Sequence, residues 1–562
     1  MIRFQRATSS LLAGALLLGA CSDPLEVENT NNPNIATVLR TPRDVETLTG
    51  RLYQGAHQAT VGGLNVTGTP NNNSIYPAML TMGLENVSQL NNFGMGPRSS
   101  IPRQFIDNAR GNSFQIEHLR NFQRGQIAAQ TATAVMERLA DTSFTIGSAA
   151  QNVRAKSFAH FALGVSLGNV ALTYDSAAIV RPFIGDSVAP LVGYQEVMNS
   201  ALANLDTAQT LAGGASFTLT IPGAWLAQSA NVTAANYVRI IRSYKARFRA
   251  QVARTPAERA AVAWPTVIAD ATNGLTSDFT LQLTPAGGWD YGWLTAHYSS
   301  ATWHGMTPYI IGMADTTATR FDTWLATPRD SRVPFLINTP DGRFPKGDTR
   351  AAQLANSSPA AAVAGQYFGN RPAGEDQLGA AWQNNFYDHL RWRTLFNAQR
   401  VGAWVTFSKV ENDMYAAEGH IRTGDIPAAV ALINAARTQA RVGLPAIPAT
   451  IARTAGVPDA AGGSAGCVPR VPDPAQGFVV SKCGDVFEAM KWESRMESAY
   501  SSYAAWYLNG RGWGDLPEGT PVHYPVPFQE ADARLIGSKN LGGIGQPGGA
   551  GPSTYGYGTG NR

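Results

Sequence analysis

The sequence predicts a mainly α-helical protein, built from tetratricopeptide-like helix pairs with long irregular loop insertions and few short strands. Three observations predict it. Apolar residues recur at helical spacing in patches towards both ends of the chain. From about residue 276 to 387 that period fades into Pro, Gly and Asp between short aromatic runs. Near residue 424 two periodic stretches are joined by a short Gly-containing turn, the unit of a tetratricopeptide-type array.

The elements follow in order. Arg43 to Ala59, Gln115 to Ala140, Asn152 to Leu172, Tyr194 to Leu211 and Ala235 to Val252 carry the helical period of the first half, with Asp44, Asp141 and Asn152 placed for caps or turns. The insertion of 276–387 is expected to hold loops and small hairpins. Helix returns with Phe407, Val410, Met414, Ala417 and Ile421, breaks at Thr423-Gly424-Asp425, and resumes with Ile426, Val430, Ile433 and Arg437. Met496, Tyr500, Tyr503 and Tyr507 recur on one face and predict a helix running through Tyr507. No Pro/Gly/Ser-rich linker divides the 562 residues, so one large domain is expected over 21–562, with helical scaffold at about 43–275 and 388–510 and an irregular tail at 511–562.

Residues 1–20 form a basic-then-apolar leader. Arg3 and Arg6 precede an apolar run too short to span a bilayer, and Leu18-Gly19-Ala20-Cys21 closes it as a lipoprotein processing site, with Cys21 the acylated first residue. An ordinary secretory leader with a chance Cys is the rival reading. Ser22 stands where an aspartate would retain a lipoprotein at the inner membrane, which favours a lipid anchor in the outer membrane. The chain carries 44 Lys+Arg against 40 Asp+Glu, and removal of the two leader arginines leaves about +2. No dense basic run interleaves with aromatics, so no nucleic-acid partner is expected. After Cys21 only Cys467 and Cys483 remain, and an even pair in an oxidising compartment favours a disulfide; a metal site is the weaker rival, since neither Cys lies in a C-x-x-C pair and no His is near in sequence.

One family resemblance draws on motifs along the whole chain. Val410-Glu411-Asn412-Asp413-Met414-Tyr415-Ala416-Ala417-Glu418-Gly419, then Arg422-Thr423-Gly424-Asp425, then Leu432-Ile433-Asn434-Ala435-Ala436-Arg437 closely resembles the C-terminal signature of SusD/RagB-family outer-membrane lipoproteins. Val153-Arg154-Ala155-Lys156-Ser157-Phe158 looks like the family's early helix, Lys491-Trp492-Glu493-Ser494-Arg495-Met496-Glu497 like its Glu-Arg-Glu helix, and Pro525-Val526-Pro527 like its closing segment. The stretch Ser501 to Tyr507 departs from the family pattern, which leaves subfamily and ligand open. The resemblance implies a palmitate-bearing, surface-exposed lipoprotein that captures a nutrient and passes it to a SusC-like TonB-dependent transporter. That nutrient would be an oligosaccharide or, in some branches, a peptide, and no bond need be broken.

Two regions offer the chemistry of sugar capture, an aromatic face beside polar side chains. Trp289-Asp290-Tyr291-Gly292-Trp293 continues through Tyr298 and Trp303, and Asn71-Asn72-Asn73-Ser74-Ile75-Tyr76 accompanies Gln89-Leu90-Asn91-Asn92-Phe93. The ligand contacts expected are Trp289, Tyr291, Trp293, Tyr298, Trp303, Tyr76, Asn91, Asn92 and Phe93, with core packing as the rival. Gly164-Val165-Ser166-Leu167-Gly168 fits a nucleophile elbow but lies in a predicted helix rather than after a strand. Glu493 and Glu497 share a helix face as a glycosidase pair could, yet Lys491 and Arg495 beside them favour ion pairing. No H-E-x-x-H, phosphate-cradling or dinucleotide motif occurs, so neither catalysis nor a cofactor is expected.

Overall fold

A computed structural model of the chain describes residues 38–61, 75–88, 95–111, 115–180, 189–291, 304–357, 365–371, 380–459, 461–463 and 466–560. Five long helices carry most of the first half: α1 (Pro42–Gln58), α2 (Gln115–Ala140), α3 (Ala149–Thr173), α4 (Tyr194–Gly213) and α5 (Ala234–Gln251). Each follows the apolar periodicity within a few residues. The caps differ from expectation. Thr41, not Asp44, caps α1 by accepting from the Asp44 amide at 3.2 Å, and Ser148 with Gln151 forms a capping box on α3. Asn152 instead lies inside α3 and accepts from the Ile146 amide at 3.0 Å, and Asp141 accepts from Ser143 in the turn after α2.

Helices α2 to α5 pack in chain order, with α3 buried on nearly every side. Its small residues Ala155, Ala159 and Ala162 admit close neighbours, and Phe158 and Phe161 fill the space towards Trp225, Tyr237 and Tyr244. Buried aromatics of this size, without charge, make the array an apolar core.

In the second half α6 (Trp264–Thr272) packs on α7 (Lys409–Thr423), which turns back into α8 (Ile426–Arg437). Gly424 takes φ +90°, a left-handed end to α7 that favours glycine, and Asp425 caps α8 by accepting from the Ala428 amide at 3.2 Å. A second apolar cluster lies here, with Met414, Ala417, Ile421, Ala429, Val430 and Ile433 meeting Val486 and Met490 of α9 (Val486–Ser498). The predicted continuous helix to Tyr507 is corrected. Helix α9 stops at Ser498, Tyr500 and Ala504 adopt φ +51° and +47°, and α10 (Ala505–Trp513) starts afresh. The aromatic spacing survives because Tyr500, inside the break, and Tyr507, on α10, are both core residues.

The described strands form five two-stranded antiparallel sheets: β1 (Val87–Ser88) with β5 (His304–Gly305), β2 (Ser176–Ala178) with β3 (Leu191–Gly193), β4 (Phe279–Leu283) with β8 (Gly402–Phe407), β6 (Phe368–Asn370) with β7 (Tyr387–His389), and β9 (Arg470–Pro472) with β10 (Ser481–Cys483). The β4–β8 pair joins Phe279 to Phe407 and closes the insertion at its base. Cys467 and Cys483 are bonded across the β9–β10 hairpin. No described helix is long and apolar enough to cross a membrane.

Candidate functional site

Several strands and turns of the insertion meet at one patch. Ser88, the last residue before 89–94, pairs in register with His304, the first after 292–303. Tyr76, just after 62–74, places its hydroxyl 3.1 Å from that of Tyr291, just before 292–303, and donates to the Ser502 carbonyl at 2.9 Å. Strand β5 continues into Met306, whose amide donates to the Tyr387 carbonyl of β7 at 3.1 Å. The described residues that flank the two regions singled out by their aromatics and amides, far apart in sequence, thus lie side by side.

The anchors themselves are core. Tyr76 and Tyr291 are 1% and 0% exposed; Tyr291 packs on Trp404 at 4.6 Å between ring centroids, and Tyr76 stacks on Tyr503 at 5.9 Å. Their expected role as ligand contacts is corrected, because neither has surface left to offer and the hydroxyl of each already has a protein partner. Trp289 is also largely buried, against Tyr53 and His57, but it lines a cavity of about 410 Å³ between α1, β4 and the turn Gly223–Leu226. The next residue fixes this turn: Asp290 accepts from the Arg400 guanidinium at 2.9 Å, and its carbonyl lies 2.6 Å from His57 Nε2. Burial lowers the His57 pKa to about 4, so the ring is neutral near pH 7 and donates to that carbonyl. Trp293, Tyr298, Trp303, Asn91, Asn92, Phe93 and the lipobox Cys21 lie outside the described residues.

One charged residue at the patch had no signal in the sequence. Glu85 follows a turn at Leu84 with φ +61°, is 1% exposed and accepts from the Tyr500 amide at 2.5 Å. Burial pushes its carboxyl up to about 8, only partly offset by that amide and by Arg391.

The motif carboxylates serve a different purpose. Glu411 of α7 takes a two-pronged bond from Arg247 of α5 at 3.0 and 2.9 Å, and Glu418 takes one from Arg259 at 3.0 and 2.6 Å. Glu493 and Glu497 both receive Arg343 Nη1, at 2.9 and 3.2 Å, while Asp341 holds the far side of the same guanidinium at 2.7 Å. Arg343 comes from the insertion, a turn residue whose reach to α9 no local pattern reveals. Glu493 and Glu497 are 0% and 2% exposed, so this is an ion-pair seam between insertion and scaffold, and no substrate reaches it as it would a glycosidase pair. Ser166 lies within α3 and donates to the Ala162 carbonyl at 2.8 Å, which removes the nucleophile elbow. In the tail, Asn108 donates to the Val526 carbonyl at 2.8 Å and His118 Nε2 lies 2.5 Å from that of Pro525, docking the Pro-Val-Pro segment on α2.

No family model matches the sequence, and no curated protein does. Solved structures are similar in fold. A SusD superfamily protein from Bacteroides vulgatus superposes with a TM-score of 0.52 at 14% identity, covering 89% of this chain and 99% of its own. One from Parabacteroides distasonis gives 0.50 at 10% identity, covering 88% and 98%. A SusD-like carbohydrate binding protein from Bacteroides vulgatus gives 0.50 at 13% identity, covering 92% and 94%. With its paired helices, short two-stranded sheets and loop-rich insertion in that arrangement, the chain has the fold of the SusD superfamily.

Proposed function

We propose that this chain is a non-catalytic lipoprotein of the outer membrane, anchored through Cys21, that captures an oligosaccharide at the cell surface and delivers it to a partner TonB-dependent transporter. The observation that carries the reading is the pairing of Ser88 with His304, which roots the Asn-rich segment of 89–94 beside the aromatic segment of 292–303. Amides suit sugar hydroxyl groups and aromatic rings suit sugar faces, and the flanking residues of the two segments that supply them are paired. A fold shared with a SusD-like carbohydrate binding protein supports the same role. Trp293, Tyr298, Trp303, Asn91, Asn92 and Phe93 are the ligand contacts in this proposal, with Tyr76 and Tyr291 holding the roots of their segments.

Affinity electrophoresis against a polysaccharide panel tests it. Retardation by one polymer, loss of about 1–3 kcal/mol of binding in Trp303→Ala, and no new reducing ends are expected. Release of fragments would make the chain a hydrolase, and retention of peptides alone would replace the nutrient. Cys21→Ala should move the folded protein out of the membrane fraction; a variant still bound after a high-salt wash rules out the lipid anchor.

A further inference from the structure

The cavity beside Trp289 has the makings of a binding site of its own. Its volume of about 410 Å³ lies in the range of small-ligand pockets. Trp225 and Trp289 are 8% and 7% exposed, both line it, and neither indole N–H has an acceptor among the described residues. The Trp225 nitrogen is seated against Gly50 of α1, where a Cβ would come within 2.4 Å of it, so the helix keeps a glycine at a position that also forms the cavity wall.

The remaining polar groups set the ligand's charge. Arg51 of α1 bonds Gln54 at 3.0 Å and makes no ion pair among the described residues. Gln228 donates to the Leu226 and Thr280 carbonyls, which leaves its side-chain oxygen as an acceptor, and the side-chain amide of Gln282 has no partner among the described residues. The wall contains no carboxylate. One uncompensated guanidinium, two indole donors, two neutral amides and the apolar surface of Ala224 and Ala227 suit a ring with hydroxyls and a negative charge.

The geometry points to a subsite for a carboxylate-bearing sugar, a uronic acid residue, with Arg51 on the carboxylate and the edges of Trp225 and Trp289 against the ring. This rests on the reading of the chain as an oligosaccharide-binding protein and adds a second, acidic sugar position to it. The test uses the full mature chain labelled with 5-fluorotryptophan, the Trp225 and Trp289 signals being assigned with Trp225→Phe and Trp289→Phe. Methyl glucuronoside should shift both ¹⁹F signals saturably, and methyl glucoside should do so about tenfold more weakly. Arg51→Gln should remove that preference. Thr47→Trp, which fills the mouth from an exposed position, should abolish the shift. Trp303→Ala should leave it intact. An equal response to the two glycosides, a response to acetate alone, an unchanged response in Arg51→Gln, or loss of the shift in Trp303→Ala overturns the proposal. If polysaccharide capture fails while the glucuronoside shift persists, the earlier reading falls and the subsite stands.

Discussion

Glu85 and Glu497 are the same residue at nearly the same burial, 1% and 2% exposed, and their carboxyls are driven in opposite directions. Glu85, at the root of the candidate binding patch, accepts one backbone amide and is raised to about 8 because burial outweighs it. Glu497, in the seam between insertion and scaffold, also feels burial, yet Arg343, Arg391 and Arg441 hold it down at about 2. Burial alone therefore says little about a charged group; the number of cations delivered to it decides. In the seam three cations hold Glu497 ionised, while burial and the neighbouring Asp341 push Glu493 up despite Arg343 and Arg437; together they lock the insertion onto α9. The patch carries a carboxyl that burial keeps protonated to about pH 8, at a cost to stability that grows as the unfolded chain ionises above about pH 4.5.

The largest way to break this contrast is Arg343→Leu. It strips the shared cation from Asp341, Glu493 and Glu497 and should cost about 3–5 kcal/mol in urea unfolding at pH 7. A loss below about 1 kcal/mol would mean that the seam is not what docks the insertion.

Next is Glu85→Gln. The folded pKa is raised, so the stability linked to Glu85 is complete below about 4.5 and is lost as pH rises to about 8. The variant should flatten that decline and gain about 4 kcal/mol over the parent at pH 8. Parallel stability curves for the two proteins between pH 5 and 8 would show that Glu85 does not titrate in this window.

The seam answers with the opposite sign. The depressed Glu497 supplies stability that is present above about 4.5 and lost as pH falls towards 2, worth about 2–3 kcal/mol. Denaturant titrations from pH 6 to 2.5 check it, and Glu497→Gln should remove most of the slope. Asp425→Ala, outside both regions, sets the scale of a local change. Losing the cap of α8 should cost about 1 kcal/mol with no new pH dependence.

Much of the helical scaffold was legible because it is local. Three- and four-residue spacing marks α1 to α5, α7 and α8 directly, and Thr423-Gly424-Asp425 announces the turn between α7 and α8 through one left-handed glycine and one capping aspartate. The aromatic density from Trp289 to Trp303 was equally plain, but density does not say which rings face outward. By sequence Trp289, Tyr291 and Tyr76 are one kind of residue; packing separates them into a cavity wall and two core anchors. The break after Ser498 is not legible because Met496, Tyr500 and Tyr507 keep a helical rhythm although Tyr500 itself has left the helix.

The helix pairs, the pair Cys467 and Cys483 and the two segments that combine aromatics with amides are readable from residues close along the chain. Only the tertiary structure decided that Ser88 meets His304, that Arg343 crosses about 150 residues of chain to seal Glu493 and Glu497, and that Gly50 makes room for the Trp225 indole. Those are contacts between distant segments. Their energies come from desolvation and charge pairing in the packed interior, which no local pattern encodes.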